Sequence, residues 1–171
     1  MKLLRPVSSL SFRPVKPLGI LAIALVAASC HKSDGGGPVG PPVGGPISVT
    51  FAGGTISAKV ASTAAARDTG LMNVTSLDAN AGMLFVFGVD HSWPDGFWMK
   101  DTPIPLSIAF IDVNMRVINI DEMAPNTLTP HYANSPYRYA VEANQGWMTS
   151  HGVTAGTIVS FTLPAGTITD P

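Results

Sequence analysis

The sequence predicts a mainly-β fold, a compact β-sandwich or jelly-roll-like barrel with one or two short helices. Three observations predict it. The apolar runs between residues 47 and 163 are short, rich in β-branched and aromatic residues, and bounded by Gly, Pro and Asn. Seven or more such runs follow one another, as the strands of a sandwich or barrel do. The composition, with 17 Gly, 15 Pro, 46% hydrophobic and 12% charged residues, excludes a coiled coil on one side and global disorder on the other.

The elements follow in order. Ile47 to Phe51 alternates as a strand, Gly53-Gly54 is expected to supply the positive φ of a tight turn, and Thr55 to Val60 returns as the second strand. Ser62 or Thr63 can cap a short helix through Ala64 to Arg67, ended by Gly70, with Leu71-Met72 packing back behind the cap. Met83 to Phe87 is apolar without a break, which predicts a central strand covered on both faces. Phe97 to Met99 reads as a short strand. Leu106 to Val113 pairs with Arg116 to Ile120 across Asn114-Met115. The three prolines at 125, 130 and 136 make residues 124–136 a long loop. Tyr137 to Ala143 alternates, with Tyr137, Tyr139 and Val141 on one face and Arg138, Ala140 and Glu142 on the other. That pattern predicts an ion pair between Arg138 and Glu142. Thr157 to Leu163 closes the set, and a frayed tail follows.

The N-terminus carries its own message. Lys2, Arg5, Arg13 and Lys16 precede the apolar run Leu18–Ala28, and Ala27-Ala28-Ser29-Cys30 ends it. A basic start, about a dozen apolar residues and a small-residue exit read as a secretory signal, too short for a transmembrane helix of about 20 residues. The exit resembles a bacterial lipobox, although Ala27 stands where Leu is preferred. The resemblance implies that Cys30, the single Cys, is lipidated and becomes the mature N-terminus. The residue after it is His31, not Asp, which by resemblance to enteric sorting rules implies the outer membrane. The organisation expected is signal peptide 1–29, Gly/Pro-rich tether 30–46, β domain 47–164 and C-terminal tail 165–171. Cleavage before Cys30 leaves six basic and eleven acidic residues. A chain near −5 without a Lys/Arg cluster is not a nucleic-acid binder; its membrane contact would be the lipid anchor.

Several segments stand in a familiar order: Gly70-Leu71-Met72, Gly82-Met83-Leu84-Phe85, Phe97-Trp98-Met99-Lys100, Thr102, Ile104-Pro105-Leu106, and then Pro125, Glu142, Gly146, Gly152 and Gly156. This resembles the domain of unknown function 192 family (uncharacterised protein family 0127) over about residues 47–163. The resemblance implies a small β-rich, jelly-roll-like domain, often secreted or lipid-anchored, with no established activity. It also marks departures: Ser107 stands where the family usually has Asp, and Thr157 where an acid is common after Gly156.

The segment 90–101 gathers three acids, one His, two Trp and one Lys. As a ligand-binding rim, Trp93 and Trp98 supply flat apolar faces, Lys100 a cation and Thr102 a hydroxyl, with the 124–136 loop nearby. As plain structure, Trp98 and Met99 fill opposite sides of a strand while Lys100 snorkels. His91, Asp95 and His131 are the available metal-ligand types, but none has helical zinc spacing. There is no nucleophile elbow and no phosphate-cradling Gly loop, so no cofactor is expected. Ser107 reads as a small strand residue with a backbone-directed hydroxyl. The leading expectation is a non-catalytic, lipid-anchored envelope module that binds a small molecule, glycan or partner protein. The alternatives are a metal-assisted hydrolase using His91, Asp95 and His131, and a structural domain of an envelope assembly.

Overall fold

The structure, a computed structural model, describes residues 45–167 and 169–170. The expected signal peptide, Cys30 and the expected tether up to residue 44, together with Ile168 and Pro171, lie outside the described residues. Among the described residues six strands and two short helices follow in the order β1 (Ile47–Phe51), β2 (Gly54–Ala61), α1 (Ala64–Thr69), β3 (Ala81–His91), β4 (Leu106–Ile111), β5 (Val117–Met123), β6 (Tyr137–Asn144) and α2 (Trp147–Ser150). The fold is mainly β, as the short runs predict. The strands form one open sheet in the order β1-β2-β3-β6-β4-β5. Every neighbouring pair is antiparallel except β2 and β3. That parallel pair needs a crossover, and residues 62–80, including α1, provide it.

The two edges of the sheet meet the same C-terminal segment. Thr50 of β1 bridges Ser160, and Arg116, just before β5, bridges Ile158. Thr157 to Leu163 therefore makes isolated bridges in place of a regular strand, and it curls the sheet toward a barrel. Val159 of this segment packs in a first core with Val49, Ile56, Leu84, Val86, Ala109, Ile111 and Val141, plugged by Trp147 and Met148 of α2. A second core lies on the other face: Phe85, Phe87, Leu106, Ile108, Phe110, Tyr137 and Ala140, roofed by Leu71, Met99 and Phe97. Alternate residues of Leu84–Phe87 enter opposite cores, so this run is apolar because both its faces are covered.

Thr63 is the cap of α1: its Oγ1 accepts from the Ala66 N–H at 3.3 Å, and Gly70 ends the helix with φ at +47° and its N–H on the Ala66 carbonyl. Three expectations need correction. Neither Gly53 nor Gly54 has a positive φ. They are glycines because α2 passes too close for a side chain: a Cβ at Gly53 would meet the His151 carbonyl, and one at Gly54 would come within 2.5 Å of the His151 ring. Phe97 to Met99 is a single bridge, Phe97 with His131, because its hydrogen bonds go to an irregular loop. Finally, the β3–β6 register shifts between Val86↔Tyr139 and His91↔Tyr137. That shift turns Tyr137 to the second core while Tyr139 packs against the first.

Candidate functional site

The same shift decides the surroundings of Glu142. Arg138 sits where the register slips, and its Nε donates to Asp90 Oδ1 at 2.8 Å. The expected Arg138–Glu142 ion pair is absent. Glu142 is left facing the second-core side, between cross-strand neighbours Met83 and Ile108, both apolar. It is only 4% exposed. None of the hydrogen bonds or ion pairs among the described residues reaches its carboxyl. Burial without a compensating charge pushes its pKa up to about 8, so at neutral pH it is a carboxylic acid with a proton to donate.

What Glu142 faces is a cleft of about 240 Å³. Phe85 of β3 and Glu142 of β6 come from the sheet. One wall is residues 67–72, the end of α1 and the turn after Gly70; the other is Gly96, Phe97, Trp98 and Thr102. A hydrogen bond from the Asn73 N–H to the Asp101 carbonyl, 2.7 Å, ties the two walls together. Behind the second wall, residues 97–102 are laced to residues 126–131. Phe97 and His131 exchange both backbone bonds, Met99 N–H donates to the Thr127 carbonyl, and Asn126 N–H donates to the Thr102 carbonyl.

The charges around the cleft are balanced. Arg67 Nη1 donates to the carbonyls of Ser62 (2.9 Å) and Val86 (3.1 Å) and to Asp170 Oδ1 (3.0 Å), and its guanidinium lies 4.7 Å from the Phe87 ring centre. Asp170 also accepts from the Ala64 N–H, which with Arg67 holds its carboxyl below the usual range. Asp170 is thus pinned to α1, within the stretch where the sequence suggested fraying. Thr102 Oγ1 donates to the Lys100 carbonyl at 3.2 Å and keeps its lone pairs for a further partner.

Comparison with known proteins places this arrangement. Residues 47–161 match the family profile DUF192, described as Uncharacterized ACR. The chain belongs to the DUF192 family. It is similar to a crystal structure of a protein of unknown function from Novosphingobium aromaticivorans DSM 12444, with 33% identity, TM-score 0.62, and 67% of this chain and 83% of that one covered. It is also similar to a Sinorhizobium meliloti 1021 protein proposed to be a transcription regulator, with 26% identity, TM-score 0.62, and 68% and 92% covered. Comparison with curated proteins gave no match.

Within this DUF192 domain the residues singled out from the sequence separate into groups. Thr102 and Trp98 line the cleft; Thr102 is buried and Trp98 is 49% exposed. Lys100 does not line it: its Nζ stands over the indole, 5.7 Å from the Trp98 ring centre. Trp93, 75% exposed beside the cis Trp93–Pro94 bond, is also outside the lining, as is the whole 124–136 loop. Met99 is buried while Trp98 is not, so the two do point apart. His91 Nδ1 lies 3.2 Å from Asp95 Oδ2, whereas His131 Nδ1 lies 3.3 Å from Asp121 Oδ2. Each His takes its own acid, and among the described residues no group of three or more His, Cys, Asp or Glu is placed to hold a metal ion.

Ser107 has a larger role than its sequence context indicated. Its hydroxyl donates to both oxygens of Glu122 at 2.8 Å and accepts from the Gly146 N–H at 2.8 Å, fixing the entry to α2. Sequence reasoning missed Glu142 as a cleft residue and the wall formed by Gly70, Leu71 and Met72. The available signal was a lone acid mid-strand among apolar neighbours.

Proposed function

We propose that this DUF192 protein is a lipid-anchored module of the bacterial cell envelope that binds a small molecule without transforming it. The cleft between α1 and Trp98 is the proposed site. One observation carries the reading: a buried, unpaired carboxyl opens into a cleft that also presents a half-exposed Trp and a hydroxyl. Burying such a group unsatisfied costs roughly 1–3 kcal/mol, and a bound molecule offsets that cost by completing its hydrogen bonds. The basic leader, the apolar run and Cys30 support the anchor, and the Gly/Pro-rich stretch supports a tether that holds the domain off the bilayer. The mature balance of six bases against eleven acids supports a role away from nucleic acid.

Two experiments test this. A ligand-observed NMR screen of small polar fragments should give hits that Trp98→Ala removes and Trp93→Ala leaves; a screen without such hits sinks the cleft as a binding site. Labelling cells with an alkyne fatty acid should tag the wild type and not Cys30→Ser. A membrane-free, unlabelled wild type would end the anchor.

A further inference from the structure

Resting on the cleft reading above, we infer that its ligand is a neutral, hydroxyl-bearing ring, a single saccharide unit laid on the indole of Trp98 and hydrogen-bonded by Glu142 and Thr102. The inference comes from matching donors and acceptors. A carboxylic acid offers one donor and one acceptor, and the Thr102 hydroxyl, whose own proton goes to the Lys100 carbonyl, offers an acceptor. The deep polar groups of the cleft therefore ask for a partner that both gives and receives. An ammonium only gives, and a ketone only receives. Adjacent hydroxyls on one ring do both.

Charge points the same way. The lining carries one charge of each sign, Asp68 and Arg67, the latter paired with Asp170, and the protonated Glu142 adds none. A neutral ligand matches a lining without net charge. The apolar surface fits as well. Trp98 offers a flat, half-exposed face, against which the C–H face of a sugar ring packs, while Leu71, Met72, Phe85 and Phe97 complete an apolar lining. At about 240 Å³ the cleft is below the roughly 300–1,000 Å³ of drug-sized sites, which suits one ring and not a long chain.

The test uses the purified full chain and saturation-transfer NMR with glucose, galactose and N-acetylglucosamine, alongside choline and acetate as charged probes. At least one sugar is expected to bind and the charged probes are not. Trp98→Ala and Glu142→Ala should each weaken that sugar at least tenfold. Glu142→Gln, which keeps a donor and an acceptor, should restore it to within about threefold, and Lys100→Ala should leave it within the same margin. Binding should also weaken above pH 8, where Glu142 loses its donor proton. Preference for choline or acetate overturns the inference, as does sugar binding indifferent to both Trp98→Ala and Glu142→Ala. Fragment hits in the cleft with no sugar bound overturn it while leaving the cleft reading intact; absence of both removes the two together.

Discussion

Replacing Glu142 by Gln should make the protein more stable, and increasingly so as the pH rises. The carboxyl is held at about 8 in the fold against an ordinary 4.5 when the chain is unfolded. Between those values the native state keeps a proton that the unfolded state has released. Raising the pH through that window therefore favours unfolding. Below the lower value both states are protonated and the effect vanishes. At about 1.4 kcal/mol per unit, the native state has lost on the order of 3 kcal/mol by pH 7, and 4–5 kcal/mol by pH 9. That is a large share of the roughly 5–15 kcal/mol that holds a domain together. Gln keeps the shape and cannot ionise, so the gap between variant and wild type should open from near its acid value at pH 4 to about 3 kcal/mol wider at pH 7. Urea unfolding followed by Trp fluorescence at pH 4, 5.5, 7 and 8.5 measures it. A gap that stays constant across this range would show that Glu142 titrates like an exposed carboxyl, and the isolation argued from Met83 and Ile108 would be wrong.

Other substitutions probe the rest of the frame. Gly54→Ala places a methyl 2.5 Å from His151 Cδ2 and should cost about 1–3 kcal/mol in urea unfolding; an unchanged midpoint would mean the ring moves aside freely. Phe110→Ala removes a fully buried ring from the second core and should cost roughly 3–5 kcal/mol, visible as a fall in denaturant midpoint with little change in slope. Ser107→Asp sets a second carboxylate against Glu122, a like-charge contact expected to cost about 1–3 kcal/mol near neutral pH and to be relieved by Glu122→Gln. If Ser107→Asp is tolerated as well alone as with Glu122→Gln, the two side chains do not share a site.

How far the sequence speaks depends on how local the cause is. The β3 run was legible because burial on both faces removes polar residues from the string itself, and the α1 cap because Thr63, Ala66 and Gly70 are close in sequence. Strict alternation failed at β6. The slip that redirects Tyr137 and sends Arg138 to Asp90 is set by pairing with β3, which lies far away in the chain. Glu142 was visible as an oddity, but its isolation depends on Met83 and Ile108, brought beside it by two different strands. Trp98 and Thr102 stood out through the family motif. The opposite wall was legible only as a helix cap, because its facing partner, the 96–102 segment, is fixed by tertiary hydrogen bonds.

The bridging of both sheet edges by residues 158 and 160 also constrains the order of assembly. Thr50 and Ser160 stand near opposite ends of the folded region, so their pairing carries a high loop-closure entropy and forms late. Until residues 157–160 dock, β1 and β5 each present an edge of unpaired backbone groups, ready templates for another chain. A chain stopped short of residue 157 would hold most of both cores yet remain open to edge-to-edge association. Docking of residues 158 and 160 is thus the event that covers both open edges of the sheet.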